Sequence, residues 1–267
     1  MPTTKNRRAT KSGRFYDIDP KDIPYISVTN VGDVVNKPAL VGWSARVERQ
    51  MALETFADFM YDKNRLDALP VDRAVFIKQI DELIGKEKAS KRELEKAANI
   101  GTQIHALIEW TNRRTLGLSV GERPQVKDEA EWGFMAYEDK AKELELEPMH
   151  VEHVVFSRKH KYAGTLDLIA RIKIDNKRRV AVTDFKSGKA IYDETKMQLA
   201  AYFNAVIEMG IAAPDTAIVI RLPKIIGDPD PEIMEIDNLN EHFEAFLNAM
   251  YLRKWQIKQE ESWGETK

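Results

Sequence analysis

The sequence predicts a protein of mixed α and β structure, an α/β (α+β) fold whose first half is largely helical. Three observations predict it. Apolar residues recur at helical spacing in several segments before residue 147, the texture changes at Pro148 to runs rich in Val, Ile and Thr, and a helix, a strand and a closing helix come after those runs.

From the N-terminus, MPTTKNRRATKSGR is basic and lacks the apolar segment of a secretory signal, so residues 1–25 read as a flexible arm. Residues 26–40, ISVTNVGDVVNKPAL, offer Ser and Thr as helix caps and stop at Pro38, which predicts a short helix after an extended lead-in. GWSARVERQMALETFADFMYDK and residues 72–84 carry apolar residues at helical spacing. Further helices are predicted from about Ser90 to Leu116 and over 125–146, with a Gly and Pro loop between them. Residues 26–147 form a helical region expected to pack on, and roof, the strand-rich second half of the chain. After Pro148, HVEHVVFS, YAGTLDLIARIKI and RRVAVTDFKS are separated by the turn-like SRKHK and DNK, which predicts three consecutive antiparallel strands. Residues 191–209 return to helical spacing, TAIVIRLP makes a fourth strand, and 238–258 form a closing helix.

At 267 residues, with 43% hydrophobic and 31% charged, the chain has material for one sizeable core. No apolar run approaches the roughly 20 residues that span a bilayer, so no membrane partner is expected and a cytoplasmic location follows. Zero cysteines exclude disulfides, thiolate zinc sites and iron–sulfur clusters. Any metal must sit on carboxylates, histidine and backbone oxygens, which points to hard cations such as Mg2+ or Mn2+. A net charge of −2 does not advertise a nucleic-acid binder. That charge is segregated, however: Lys5, Arg7, Arg8, Lys11 and Arg14 make one basic cluster, Arg158, Lys159 and Lys161 another, while 128–147 is acidic.

Side chains of a strand alternate, so in VTDFKSGKA Val182, Asp184 and Lys186 share one face, with Thr183 and Phe185 on the other. An acid and a base thus stand side by side. Asp167, in GTLDLIA on the preceding strand, can pair with Asp184, and two carboxylates that repel each other are relieved by a divalent cation. Lys186 then faces a scissile phosphate. Glu152 sits one strand earlier, and His105 in GTQIHALIE lies on the long helix, one turn from Glu109, where a neutral imidazole can reach the same metal. Gln198 and Tyr202, four apart in KMQLAAYFNAV, share a helix face and suit phosphate or base contact. Each also has a plainer reading: Asp184–Lys186 as a structural ion pair, His105 as a core histidine, Tyr202 as core and Gln198 as surface.

GTQIH, VEHVVFS, GTLD, DFKSGK and QLAAY, in that order, resemble the RecB-type branch of the PD-(D/E)XK nuclease superfamily, with phage exonucleases, the mitochondrial genome-maintenance exonuclease and CRISPR-associated RecB-like nucleases as its nearest likenesses. The resemblance implies a restriction-endonuclease-like core, over 148–267 and completed by the 90–116 helix, with a central mixed sheet flanked by helices. It implies His105, Asp167, Asp184 and the Phe185 carbonyl as metal ligands, Lys186 as the catalytic lysine with Asp184, Asp167 and Glu152 beside it, and Gln198 and Tyr202 as substrate contacts, to which the basic side chains of Lys189, Arg158 and Lys161 are added as expected substrate contacts. The cofactor implied is Mg2+ or Mn2+, without the iron–sulfur cluster of cysteine-bearing relatives. The activity implied is a metal-dependent DNA exonuclease processing single-stranded or frayed duplex ends, in a phage or bacterial host cytoplasm, with recombination or replication proteins as partners. An inactive nuclease-fold subunit that binds or recruits, and a structure-specific endonuclease, are the alternatives.

Overall fold

The computed structural model describes residues 7–19, 21–35, 37–62, 72–85, 88–225 and 227–264, with side chains as far as Glu260. In chain order the elements are β1 (Arg7–Thr10), β2 (Gly13–Tyr16), β3 (Tyr25–Ser27), α1 (Val28–Gly32), α2 (Pro38–Tyr61), α3 (Arg73–Ile84), α4 (Ala89–Thr115), α5 (Asp128–Glu143), β4 (Glu147–Ser157), β5 (Tyr162–Ile174), β6 (Lys177–Lys186), α6 (Asp193–Met209), β7 (Thr216–Arg221), β8 (Glu232–Glu235) and α7 (Leu239–Gly264). The chain divides into Asn36–Asn99 and a larger unit made of residues 1–35 with 100–267, so the boundary expected at residue 147 falls elsewhere. No described helix is long and apolar enough to cross a membrane.

The smaller unit holds α2, α3 and the start of α4. Pro38, expected to end a helix, opens α2, where a missing N–H is no loss. Asp72 caps α3 by accepting from the Ala74 and Val75 amides. The first turn of α4 is capped from a distance: Glu48 accepts from the Ala89 and Ser90 amides at 3.2 and 3.0 Å and from Ser90 Oγ at 2.6 Å. These bonds, the Ser90 hydroxyl's foremost, hold the Glu48 carboxyl below its ordinary pKa.

In the larger unit all eight strands form one open, mixed sheet in the order β1-β2-β3-β5-β6-β7-β8, with β4 also paired to β5. The β4, β5 and β6 pairings are antiparallel, as expected from the sequence. β6 and β7 are parallel, joined by the α6 crossover. Alternation covers both faces. Ile169, Val182 and Val219 meet Leu199, Ala205 and Val206 of α6 and Phe246 and Met250 of α7. Leu168, Ala170, Ala181 and Ile218 meet Ile104, Leu107 and Ile108 of α4 and Phe134 and Tyr137 of α5. Fully burying each Val, Leu, Ile, Phe or Met among them is worth about 1.5–3 kcal/mol.

Two features depart from the expected outline. Residues 7–16 are not a loose arm: they form an antiparallel hairpin whose turn, Lys11–Ser12, is closed by Gly13 at φ +112°. Asn30 of α1 clasps that turn, its Nδ2 donating to the Ser12 and Arg14 carbonyls at 3.1 and 3.3 Å. Arg253 of α7 donates in turn to Asn30 Oδ1 and to the Ser12 carbonyl, at 3.0 and 2.9 Å. The second feature, β8, has the sequence EIME, whose flanking carboxylates hide its strand character. The clasp sets a test for the hairpin. Asn30→Ala removes the Nδ2 bonds to the Ser12 and Arg14 carbonyls and the acceptor of Arg253 Nε, so chemical denaturation should show a loss of about 1–3 kcal/mol, with the hairpin gaining amide exchange first; unchanged stability would contradict the clasp.

Candidate metal centre at the fork of the sheet

One strand edge organises the site. β4 runs along β5 from Tyr162 to Arg171, so every other partner of that stretch must use the opposite edge. β3 takes that edge at Tyr162 and Ala163, and β6 takes it from Leu168 onward. Gly164 to Asp167, the GTLD segment, is left between them with no described strand on that side. The ladder of β5 with β6 stops at Leu168 and Thr183, after which β6 continues beside β7 alone. The two strands therefore fork, and the Phe185 amide, released from the ladder, donates to Asp167 Oδ2 at 2.8 Å. A carboxylate takes the place of a strand.

Both helical layers reach the fork. From α4, His105 places Nε2 3.1 Å from the Phe185 carbonyl oxygen and Nδ1 3.6 Å from Asp167 Oδ2. In the tautomer that donates from Nε2 to that carbonyl, the Nδ1 lone pair faces the carboxylate. From α6, Gln198 donates to Asp184 Oδ1 at 3.1 Å and accepts from Lys186 Nζ at 3.2 Å, while Tyr202 OH lies 3.4 Å from its Nε2. Two glycines permit these approaches. A Cβ at Gly164 would meet Tyr202 Cε1 at 2.5 Å, and one at Gly101 would meet Ser187 Oγ at 2.7 Å. GTLD thereby makes room for the QxxxY tyrosine, and GTQIH for the serine after Lys186.

Glu152 stands opposite Asp167, because Val151 pairs with Leu168 and His153 with Leu166. Its φ of +47° is unusual for a non-glycine residue and breaks the strand's regular ladder at that position. His105, Glu152 and Asp167 each offer one ligand atom within 4.8 Å of the others. The resemblance put Asp184 and the Phe185 carbonyl in the ligand set as well. The carbonyl faces His105, and Asp184, near enough for Asp167 and His105 to act on it electrostatically, is tied to Lys186 by an ion pair with Nζ to Oδ2 at 2.7 Å. Asp184 Oδ2 is buried, with the Lys186 ammonium as its partner. The Lys186 side chain is 32% exposed against 3% for Asp184, so Lys186 is the more open member of the pair, and both line the cleft.

Burial raises the Asp184 pKa, with Lys186 opposing and Asp167 adding to it. Burial also works against the Lys186 charge, but Asp184 and Asp167 outweigh it and hold the ammonium above its usual range. Burial, with Asp184 and Asp167, pushes the Tyr202 hydroxyl well up, so it stays protonated. Glu152 is pushed up to about 8 by burial first, then by Asp167 and Glu109. Three carboxylates here face one ammonium, an excess of two negative charges if all ionise, and burial keeps Glu152 protonated up to about 8. Two carboxylates and an imidazole, each offering a ligand atom to the same point, are a donor set that fits Mg2+ or Mn2+.

The cleft over this group is about 420 Å³. Its lining includes His105, Glu152, Asp167, Asp184, Lys186, Gln198 and Tyr202, so the residues picked from sequence motifs converge. Other expected contacts lie apart from the lining. Lys161 is paired with Asp22, Arg158 sits over the Phe156 ring with Asp19 at 3.9 Å, and Lys189 is exposed on the loop after β6. Glu109 pairs with Arg113 at 2.8 Å. Tyr137, on α5, is interior and bonded to Asn112. Sequence reasoning missed Arg7, Arg14, Tyr16, Ser27, Thr102 and Ser187 as cleft residues. The basic cluster around Arg7 and Arg14 was visible, but the hairpin that aims it was not. Compared with known proteins, the chain matches no protein-family model and no curated sequence.

Because Glu152 is raised from 4.5 to about 8, its ionisation opposes folding: the stability it leaves intact at low pH is lost as pH rises through that window. In metal-free protein, Glu152→Gln should therefore melt progressively above the wild type from about pH 4.5 to about 8, the difference levelling off beyond. A difference independent of pH would contradict this electrostatic description.

Proposed function

We propose that the chain is a metal-dependent deoxyribonuclease of the PD-(D/E)XK type. More narrowly, it is a phage-type exonuclease acting on single-stranded or frayed DNA ends in the cytoplasm of a bacterial host. The observation that carries the reading is the convergence of His105, Glu152 and Asp167 with the Asp184–Lys186 pair at one fork, inside a cleft. Mg2+ or Mn2+ is the cation that the donor set fits, and when bound it supplies polarisation of a phosphoryl oxygen and activation of water.

The chain's own residues do the rest. His105, Glu152 and Asp167 offer the nitrogen and oxygen donors. The Phe185 amide fixes the Asp167 carboxylate, and the Phe185 carbonyl fixes the imidazole ring. Gln198 locks Asp184 and Lys186 in one geometry, and Tyr202 buttresses Gln198. The Lys186 ammonium, kept charged by its two carboxylate neighbours, is available to stabilise charge developing on a phosphate.

The plain ion-pair reading of Asp184 and Lys186 has the 2.7 Å contact in its favour. It gives no reason for a second group of acids and a histidine to crowd the same cleft, where each carboxylate disfavours ionisation of the next. The inactive-subunit reading faces the same objection.

End-labelled linear single-stranded DNA, given Mn2+ or Mg2+, should be degraded by the wild type and far more slowly by Lys186→Ala, with kcat down by about 10²–10³. Removing Lys186 strands a buried carboxylate, so Asp167→Asn, at a more open position, is run beside it. Cutting of closed circular DNA in the same assay would mean an endonuclease. No metal-dependent hydrolysis by folded wild type, on DNA or RNA, would defeat the nuclease reading.

A further inference from the structure

The N-terminal hairpin places two arginines over the acidic group. Arg7 pairs with Tyr16 and Ala9 with Arg14, so Arg7, Ala9, Arg14 and Tyr16 share one face of the hairpin, while Arg8 and Phe15 share the other. The first face looks into the cleft, which Arg7, Arg14 and Tyr16 line. The opposite face is used structurally: Phe15 packs against the core and Arg8 lies 3.5 Å from Asp17. Neither the Arg7 nor the Arg14 guanidinium has a hydrogen bond or ion pair among the described residues. Asp167 and Asp184 keep other partners, and Arg7 acts on Glu152 only through its charge, without an ion pair, so both guanidinium groups are left for a ligand.

The hairpin is also held in place. Tyr16 OH bonds Thr165 Oγ1 of GTLD at 3.0 Å, and Asn30 and Arg253 clasp the turn. A rigid hairpin that presents two free guanidinium groups to the same cleft as a cation site matches a ligand with at least two anionic groups, one for the cation and one for the arginines. We infer that Arg7 and Arg14 form a seat for a backbone phosphate of the substrate strand other than the phosphate being hydrolysed. This inference rests on the nuclease reading above and names residues that the motif pattern does not contain. The seat replaces Arg158, Lys161 and Lys189 as the leading basic contact, since those side chains lie outside the cleft lining. Its role is positioning: it registers the strand so that the next phosphate falls before Lys186.

The test is steady-state degradation of a single-stranded oligonucleotide by the full chain in Mn2+, over a series of salt concentrations. Arg7→Ala/Arg14→Ala is compared with Arg7→Gln/Arg14→Gln, which keeps the stems, and with Arg8→Ala on the opposite face. The seat predicts that both double variants raise KM about tenfold or more with kcat far less changed. It also predicts a dependence of log(kcat/KM) on log[salt] flatter by about 0.7 for each phosphate no longer held, and values near wild type for Arg8→Ala. KM and salt slope unchanged in both double variants, or altered equally by Arg8→Ala, would overturn the seat while leaving the nuclease reading standing. A wild type that hydrolyses no nucleic acid would overturn the nuclease reading, and the seat with it.

Discussion

The site exists because one edge of β5 is shared by two strands that do not meet. β3 holds the first two residues of that edge, β6 holds the last seven, and GTLD lies in the gap. Had the β5–β6 ladder run on, Asp167 would lie against Asp184 in a closed sheet, with the Phe185 amide spent on a backbone carbonyl. Ending the ladder at Leu168 and Thr183 frees that amide for the Asp167 side chain and the Phe185 carbonyl for His105. It also opens a slot through which α4, from one face, and α6, from the other, both reach the same few ångströms. The small residues of α6 and the two motif glycines are consequences of that crowding.

The same fork sets the charge problem. Carboxylates on three neighbouring strands are drawn out of water together, and the one ammonium among them is bound to the most buried acid. Uncompensated charge in such a place is costly, and the protein's means of limiting the cost are visible: a raised Glu152 pKa, an amide donated to Asp167, and a glutamine between Asp184 and Lys186. These measures moderate the excess but leave it in place. A divalent cation matches the fully ionised group in both charge and donor chemistry, and the hairpin arginines line the same cleft, Arg7 close enough for its charge to act on Glu152.

Much of this was legible in the sequence. Strand alternation alone put Asp184 and Lys186 on one face, and the antiparallel order of β4, β5 and β6 followed from three β-rich runs and short polar turns. The role of Gln198 and Tyr202 was only half legible: spacing gave the shared face, but the bonding of Gln198 to Asp184 and Lys186, and of Tyr202 to Gln198, depends on how deeply α6 packs, which no spacing encodes. Glu152 was readable as an acid near the site, though its place opposite Asp167 needs the register and the positive φ. The hairpin was hidden because its strands are four residues each and rich in arginine, so its order comes from Asn30 and Arg253, distant in sequence. Pro38 misled for a local reason, since proline ends one helix and begins another with equal ease.

The claim on which the account turns is that His105, Glu152 and Asp167 hold a divalent cation at the fork. Diffraction from crystals grown with Mn2+, recorded to detect its anomalous signal, tests it directly. The account predicts one strong peak among these three side chains, with Asp184 Oδ2 and Lys186 beside it, and loss of that peak in Asp167→Asn. Manganese bound elsewhere, or a fork left empty at millimolar Mn2+ with the three side chains in their present geometry, would contradict it.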